Sequence, residues 1–362
     1  IVYDDFWYRL AFAHNSSRIV RRGGVDPNSK IRETGHRVLW SSSSYNHSDN
    51  HTIKNYSPPS SSSSSSSLPS TTWITVTEQG IRQSFDLTKV MFSRGNISEK
   101  IRFGKTLVQE NEIILDMYTG IGYYTLPAII HGKASFVYAC EWNTYAVNAL
   151  RYNIKDNKIE NKVKILEGDC REQVEKHNLT NMVDRVSLGL LPSSEGGWRY
   201  AIKALKVPTG GWLHIHGNVP AKEMELWTIW VCHRLDVLAK EENKPDNWFI
   251  LCNHVERVKS FAPTVFHYVA DIFVGPKERI EMDESLSLPS CSSLSSSVNN
   301  NGGGVVTSTS TNTDTTSCRA WMKRRCDQTW IPASSLNDDE STIRRPSCAL
   351  SPDGVLSQDW MR

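Results

Sequence analysis

The central part of the chain reads as alternating short apolar runs and amphipathic stretches. WITVTEQGI (73–81) alternates apolar and polar positions with period two, which predicts a strand. EIILDMY (112–118), SFVYACEW (135–142) and KVKILEGD (162–169) are short apolar runs, and each carries an acid at its end. Their continuous hydrophobicity suits parallel strands covered on both faces. DRVSLGLLP (184–192) and GGWLHIHGNV (210–219) continue the series as a fourth and a fifth strand. Between them, TGIGYYTLPAIIHG opens a helix from a glycine turn. In residues 143–158, Ala146, Val147, Leu150 and Ile154 fall at helical spacing behind Asn143, a natural N-cap. Residues 221–243 predict a long amphipathic helix. NWFILCNHVERVKSF and TVFHYVADIFVG then follow too closely for a crossover helix, so they form an antiparallel pair. Strand and helix alternate every 20–30 residues. That pattern means an α/β, doubly wound, Rossmann-like sheet with right-handed crossovers and a ligand crevice at the carboxyl ends of its strands. With an antiparallel final hairpin, it is the architecture of class I S-adenosylmethionine-dependent transferases.

Two stretches lack this pattern. Residues 41–72 are Ser-rich and nearly free of large apolar groups, so they are expected to be a disordered insertion within a small N-terminal subdomain, 1–90. The transferase domain is expected over 91–275. Residues 276–362 read as a low-complexity, disordered tail, whose islands RAWMKRRCDQTW and RRPSCALSP are too short to fold alone. Lys323–Arg325 reads as a solvated charge run, with a basic localisation patch as the alternative.

Composition narrows the class. Of 362 residues, 39% are hydrophobic and 22% charged, with a net charge of +2. No global field marks the chain as a polyanion or membrane binder, and any basic surface must be local. There is no apolar run of 18 residues and no signal-peptide pattern behind Ile1. The eight cysteines include no C-x-x-C pair, as expected of reduced thiols in a cytosolic or nuclear compartment rather than of a zinc site.

Candidate chemistry lies just after the strands. Gly120 and Gly122, in D-M-Y-T-G-I-G, let backbone approach a ligand ahead of a helix. G-x-G alone also describes an ordinary tight turn. The third glycine of a dinucleotide fingerprint is replaced by Thr125, and no P-loop lysine follows. Asp116, Glu141 and Asp169 end the first three strands in register. A carboxylate such as Glu141 can accept from both hydroxyls of a ribose, and Asp169 is placed to accept from an adenine amino group. A cofactor with ribose and adenine but no pyrophosphate fits best, and that is S-adenosyl-L-methionine. No metal is expected. His214 and His216 share one face of the fifth strand, but no third ligand is near, and packed histidines are the simpler reading.

The segments FDLTKVMFSRGNISEKIR (85–102), LDMYTGIGYYTLP (115–127), ACEWNTYAVNALRYN (139–153), GDCRE (168–172), DRVSLGLLPSSEGGW (184–198), GGWLHIHGNV (210–219) and HVERVKSFAP (254–263) together resemble the tRNA wybutosine-synthesising protein 2 family, related to the tRNA guanine-N1 methyltransferases. The resemblance runs from about Phe6 to Gly275. It implies transfer of the 3-amino-3-carboxypropyl group from S-adenosylmethionine to the 4-demethylwyosine base 3′ of the anticodon of tRNA(Phe), by a cytoplasmic monomer. Guanine-N1 methylation of the same nucleotide and a non-catalytic remnant are the alternatives. By resemblance, Ser93, Lys100, Glu141 and Asp169 contact the cofactor, and Cys170 stands where the family commonly has Asn. Lys100 would anchor the cofactor carboxylate. On residues alone it reads as a surface lysine, and Ser93 as a turn residue. Pro192, Ser193 and Ser194 form the candidate substrate loop, or equally a helix cap. Arg9, Arg18, Arg21, Arg22, Lys30, Arg32 and Arg37, interleaved with Phe6, Trp7, Tyr8 and Trp40, are either an RNA contact or a solvated face.

Overall fold

The computed structural model describes residues 2–24, 33–42, 71–282, 319–324, 328–333, 337–339, 342–343 and 345–349. Most of the Ser-rich insertion (43–70) and much of the C-terminal stretch lie outside them, as do Lys30, Arg32 and Arg325. The chain divides into two units. One comprises 1–94, 120–123 and 142–160, and the other 95–119, 124–141 and 161–362. The first therefore recruits two pieces from beyond the expected boundary at residue 90.

The first unit opens with α1 (Val2–Ala13) and the antiparallel pair β1 (Arg18–Arg21) and β2 (Arg37–Ser41). The strand expected over 73–81 is shorter than its pattern. β3 (Trp73–Glu78) turns back into β4 (Ile81–Asp86). Gln79 and Gly80 have φ of 51° and 81°, the two positive values of a type I′ hairpin turn, which ends period-two alternation.

The second unit is built on a nine-stranded sheet. α2 (Ile97–Arg102) precedes β5 (Ile113–Asp116), and α3 (Thr125–Ile130) precedes β6 (Phe136–Glu141). α4 (Thr144–Asp156) belongs to the first unit. Its N-cap is Asn143, whose side chain accepts from Tyr145 N at 2.9 Å, as the sequence indicated. Its buried Asn153 accepts from Ser84 N at 2.6 Å and donates to Ile121 O at 3.0 Å, so the helix is stitched to the β3–β4 hairpin.

The sheet continues with β7 (Val163–Glu167), α5 (Cys170–Lys176), β8 (Arg185–Leu188), α6 (Trp198–Ala204), β9 (Gly211–Pro220), α7 (Met224–Glu241), β10 (Trp248–Ala262), β11 (Val265–Pro276) and the short α8 (Lys277–Met282). β7, β6, β5, β8 and β9 are adjacent in that order and parallel. β11 pairs antiparallel to both β9 and β10. The sheet is thus doubly wound with an antiparallel final hairpin, the expected class I transferase fold.

The C-terminal islands behave differently from expectation. β12 (Ala320–Lys323) pairs parallel to β10, and β13 (Trp330–Pro332) pairs with β12. Ala320, Trp321 and Met322 are buried, so apolar surface too small to fold alone is buried against an existing sheet edge. Lys323 lies over the Trp330 ring at 5.8 Å and not in a free charge run. β14 (Asn337–Asp339) and β15 (Thr342–Ile343) form a separate short pair. On one face of the sheet, Leu213, Ile215, Ala270 and Ile272 share the main core with Trp227, Val231 and Leu235 of α7. The residues that alternate with them, His214, His216, His267 and Asp271, face the other way. There Phe103 stands edge-on to His214, and Tyr124 to His216.

Candidate functional site

The carboxyl ends of the parallel strands bring the expected acids to one edge of the sheet, but not to one purpose. Glu141, the last residue of β6, is half-buried. Gly168 N donates to its carbonyl at 2.9 Å, tying the ends of β6 and β7 together. Asp169 does not end a strand: β7 stops at Glu167, and Asp169 is the N-cap of α5, accepting from Arg171 N at 2.9 Å. The Arg171 guanidinium also grips both Asp169 oxygens, which holds this carboxyl below its usual range. A carboxylate offers about four acceptor positions, and Arg171 already makes four contacts to them, so an adenine amino group would have to share an oxygen with Arg171.

Asp116 is turned inward and is 1% exposed. It accepts from Thr125 Oγ1 at 2.8 Å, and Thr119 Oγ1 is 2.7 Å from the same Thr125 oxygen. Burial pushes its carboxyl up to about 6. Asp116 braces the turn between β5 and α3 and is buried, so the three acids are not equivalent: Glu141 and Asp169 keep partial solvent access. Cys170 is also buried beside Tyr118, and burial pushes its thiol up to about 11. Its side chain is therefore a neutral wall.

Gly120 and Gly122 lie in the turn after β5, in the first unit, with φ of 58° and 104°. These are left-handed conformations that favour glycine. Ser93 follows Phe92, which stacks on Phe85 (4.9 Å, 8°) and contacts Tyr123. Tyr123 Oη donates to Met91 O at 2.6 Å, so the Ser93 segment is anchored within its own unit.

Lys100 is 4% exposed on α2 and is not a surface lysine. Partial burial, and then the charge of Lys100, lower the pKa of Lys259 on β10. A β-carbon on Gly95 would meet Lys259 Nζ at 3.2 Å, so that side chain crosses the backbone ahead of α2. Two partly desolvated ammonium groups held together repel each other, and an anion such as a carboxylate relieves that cost. Lys259 was not singled out from the sequence, although it lies in HVERVKSFAP.

Beneath α2 runs a buried ionic chain that the sequence did not reveal. Arg102 donates to both oxygens of Glu99 (2.7 and 2.8 Å) and to both of Asp271 (2.5 and 3.2 Å). His214 Nδ1 lies 2.6 Å from Asp271, and its Nε2 2.6 Å from Arg185, which pairs with Glu112. One guanidinium thus serves two carboxylates. Asp271, with His214 as well, is held low, whereas burial and nearby carboxylates push Glu99 up to about 7. His216 Nδ1 is 2.9 Å from His267 Nε2. Both expected histidines therefore have protein partners. Among the described residues, no group of three or more His, Cys, Asp or Glu is placed to hold a metal.

The 192–194 loop is mixed. Ser193 Oγ accepts from Glu195 N at 3.2 Å, and Ser193 bridges Gly217 of β9. Ser194 is 1% exposed and accepts from Trp198 Nε1 at 3.1 Å, so it is a packing residue. Pro192 O accepts from Asn218 N at 2.9 Å. The loop is fastened to the carboxyl end of β9, where a substrate would meet the crevice.

Residues 74–244 match the TRM5/TYW2 methyltransferase domain. The chain is 38% identical over 269 residues to the Arabidopsis thaliana tRNA wybutosine-synthesizing protein 2/3/4, covering 74% of this chain and 23% of that protein's length. It is 31% identical to M. jannaschii TYW2, solved in complex with AdoMet, covering 57% of this chain and 87% of that one, with a TM-score of 0.49. P. horikoshii TYW2, solved in complex with MeSAdo, shares its fold, with a TM-score of 0.55, 23% identity, and 75% and 83% of the two chains covered. The match to the TRM5/TYW2 methyltransferase domain thus covers residues 74–244 of this chain, which spans about a quarter to a half of the length of the curated relatives it resembles.

Proposed function

We propose that this chain transfers the 3-amino-3-carboxypropyl group of S-adenosylmethionine to the 4-demethylwyosine base of tRNA(Phe), a step of wybutosine biosynthesis. The observation that carries this reading is that buried Lys100 on α2 lies near half-buried Lys259 of β10, whose side chain crosses the backbone at Gly95 just ahead of α2. Transferring the amino-acid arm requires holding that arm, and its carboxylate is the anion two ammonium groups would grip. S-adenosylmethionine supplies a sulfonium whose three neighbouring carbons are electrophilic and whose leaving group is a neutral thioether. In the assigned reaction that thioether is methylthioadenosine.

On this reading Glu141 takes the ribose hydroxyls and Asp169 the adenine amino group. Gly120 and Gly122 keep the turn free of side chains. Cys170 contributes through its backbone, since its buried thiol is neutral at physiological pH. Asp116 supports the turn from inside. Pro192 and Ser193 position the base, and orientation alone then selects which carbon reacts.

The assignment of tRNA draws on the first unit. Arg21 and Arg37 are exposed partners directly across the β1–β2 pair, with exposed Arg22 beside them. Like charges placed opposite each other destabilise a hairpin, and phosphate contact offsets that. Phe6 is 56% exposed, whereas Trp40 packs near Tyr8. A cytoplasmic monomer completes the reading. In its support, the five described cysteines are all free thiols, and no helix among the described residues is long and apolar enough to cross a membrane. Calorimetric titration with S-adenosylmethionine, repeated with Arg21→Glu/Arg37→Glu and unmodified tRNA(Phe), tests both halves. Cofactor binding should persist in that variant while tRNA binding weakens, and tRNA affinity equal to the parent would remove Arg21 and Arg37 from the interface.

A further inference from the structure

The segment Arg345–Ala349 is seated on the second unit by three kinds of contact. Cys348 and Ala349 are 4% and 7% exposed and belong to the main core. Ser347 N and Ser347 Oγ both donate to Glu223 Oε2, at 2.9 and 2.7 Å. The Arg345 guanidinium lies 3.5 Å from Glu195 and 5.6 Å over the ring of Trp230. Glu195 directly follows the Pro192–Ser194 loop, and Glu223 is the N-cap of α7. Ser347 itself is exposed. It is preceded by Arg344, Arg345 and Pro346, so two guanidinium groups stand two and three residues before a hydroxyl. An acid-lined kinase cleft selects that charge pattern.

We propose that Ser347 is a phosphorylation site for a basophilic serine/threonine protein kinase, and that phosphate there releases the Arg345–Ala349 strap. Ser347 Oγ forms a bond to the γ-phosphorus of ATP. The bond from that phosphorus to the β–γ bridging oxygen breaks, ADP leaves, and the hydroxyl proton passes to the kinase's catalytic aspartate. The esterified oxygen can no longer donate to Glu223. In place of a 2.7 Å hydrogen bond stand a carboxylate and a phosphate carrying roughly −1.5 to −2 charge. Glu223 is the N-cap residue of α7 but makes no side-chain hydrogen bond to the helix, so its carboxylate, committed to Ser347, meets the phosphate directly. Arg345 is the nearest cation in sequence and pairs more strongly with a doubly charged phosphate than with the Glu195 carboxylate 3.5 Å away, which withdraws it from Glu195. An effect on group transfer rests on the reading of Pro192 and Ser193 as the substrate loop. Release of the strap does not.

The test uses the full chain, a basophilic protein kinase and ATP. Phosphopeptide mapping locates the phosphate, and the alkylation rate of Cys348 is followed by peptide mass. Phosphate is expected at Ser347, and none on that peptide in Ser347→Ala. Cys348 alkylation should rise about tenfold or more once the strap is released. Glu223→Gln, which removes the repulsion, should restore much of the protection in the phosphorylated chain. No phosphate at Ser347, or phosphate with Cys348 alkylated at the unmodified rate, overturns the proposal. Transfer to tRNA is measured alongside. If Cys348 is exposed and the transfer rate is unchanged, the phosphorylation site stands and the coupling to the substrate loop is overturned.

Discussion

Asp271→Asn isolates the buried ionic chain beneath α2. The carboxylate is 3% exposed and receives Arg102 on both oxygens and His214 on one, at 2.5, 3.2 and 2.6 Å. The amide removes the charge but keeps the shape. Arg102 then has only Glu99, whose own carboxyl is pushed up to about 7, and Arg185 still faces His214. Breaking a buried pair on one side costs about 3–5 kcal/mol, because the surviving charge stays desolvated. At roughly 2–4 °C per kcal/mol for a domain of this size, the melting temperature should fall by about 6–20 °C. Replacing Arg102 and Asp271 together by Leu should cost less than the sum of the single changes, since neither charge of that pair is stranded and Glu99, which loses Arg102, can take up a proton. Asp271 has a depressed pKa in the fold, so its contribution is present above the unfolded carboxylate value near 3.9 and is lost as pH falls further. The asparagine variant should therefore show a flatter acid limb. Scanning calorimetry from pH 3 to 8 measures both effects. A melting temperature within about 2 °C of the parent, with the acid limb unchanged, would refute the reasoning.

Three further outcomes are expected. Glu141→Ala should weaken S-adenosylmethionine binding by roughly 2–3 kcal/mol, the worth of a pair of charge-assisted hydrogen bonds, and an unchanged calorimetric titration would remove the ribose role. Lys100→Ala should slow aminocarboxypropyl transfer by more than it weakens cofactor binding, since misplacement by about 1 Å can cost on the order of 100-fold in rate. Single-turnover transfer at the parent rate would end that assignment. Glu99 binds its proton more tightly folded than unfolded, so it subtracts stability as pH rises from about 4.5 to 7. Glu99→Gln should remove that slope in melting temperature against pH, and an unchanged slope would show that Glu99 stays ionised beside Arg102.

Local pattern carried much of the fold. Apolar runs marked β5 through β11, and Asn143 was legible as a cap because capping is a matter of neighbouring residues. What depended on distant partners was not legible. Arg102 meets Asp271 across 169 positions, and Glu112 meets Arg185 across 73, with no local signal for either. Asp116 and Glu141 look alike at the ends of apolar runs, and only tertiary burial separates the buried brace from the half-buried strand end. Lys100 reads as a surface lysine in Ser98-Glu99-Lys100, yet α2 buries it near a second ammonium group from β10. The β12 and β13 strands escaped notice because their apolar residues are too few for an autonomous core and acquire one only at the edge of β10.

The central claim is the identity of the transferred group. Incubation of the chain with S-adenosylmethionine labelled separately in its methyl and its amino-acid carbons, and with tRNA(Phe) carrying 4-demethylwyosine, followed by nucleoside mass analysis, tests it most directly. The account predicts amino-acid label in the modified base and methylthioadenosine in solution. Methyl label in the base with S-adenosylhomocysteine released, or no transfer by a chain that binds the cofactor, would contradict it.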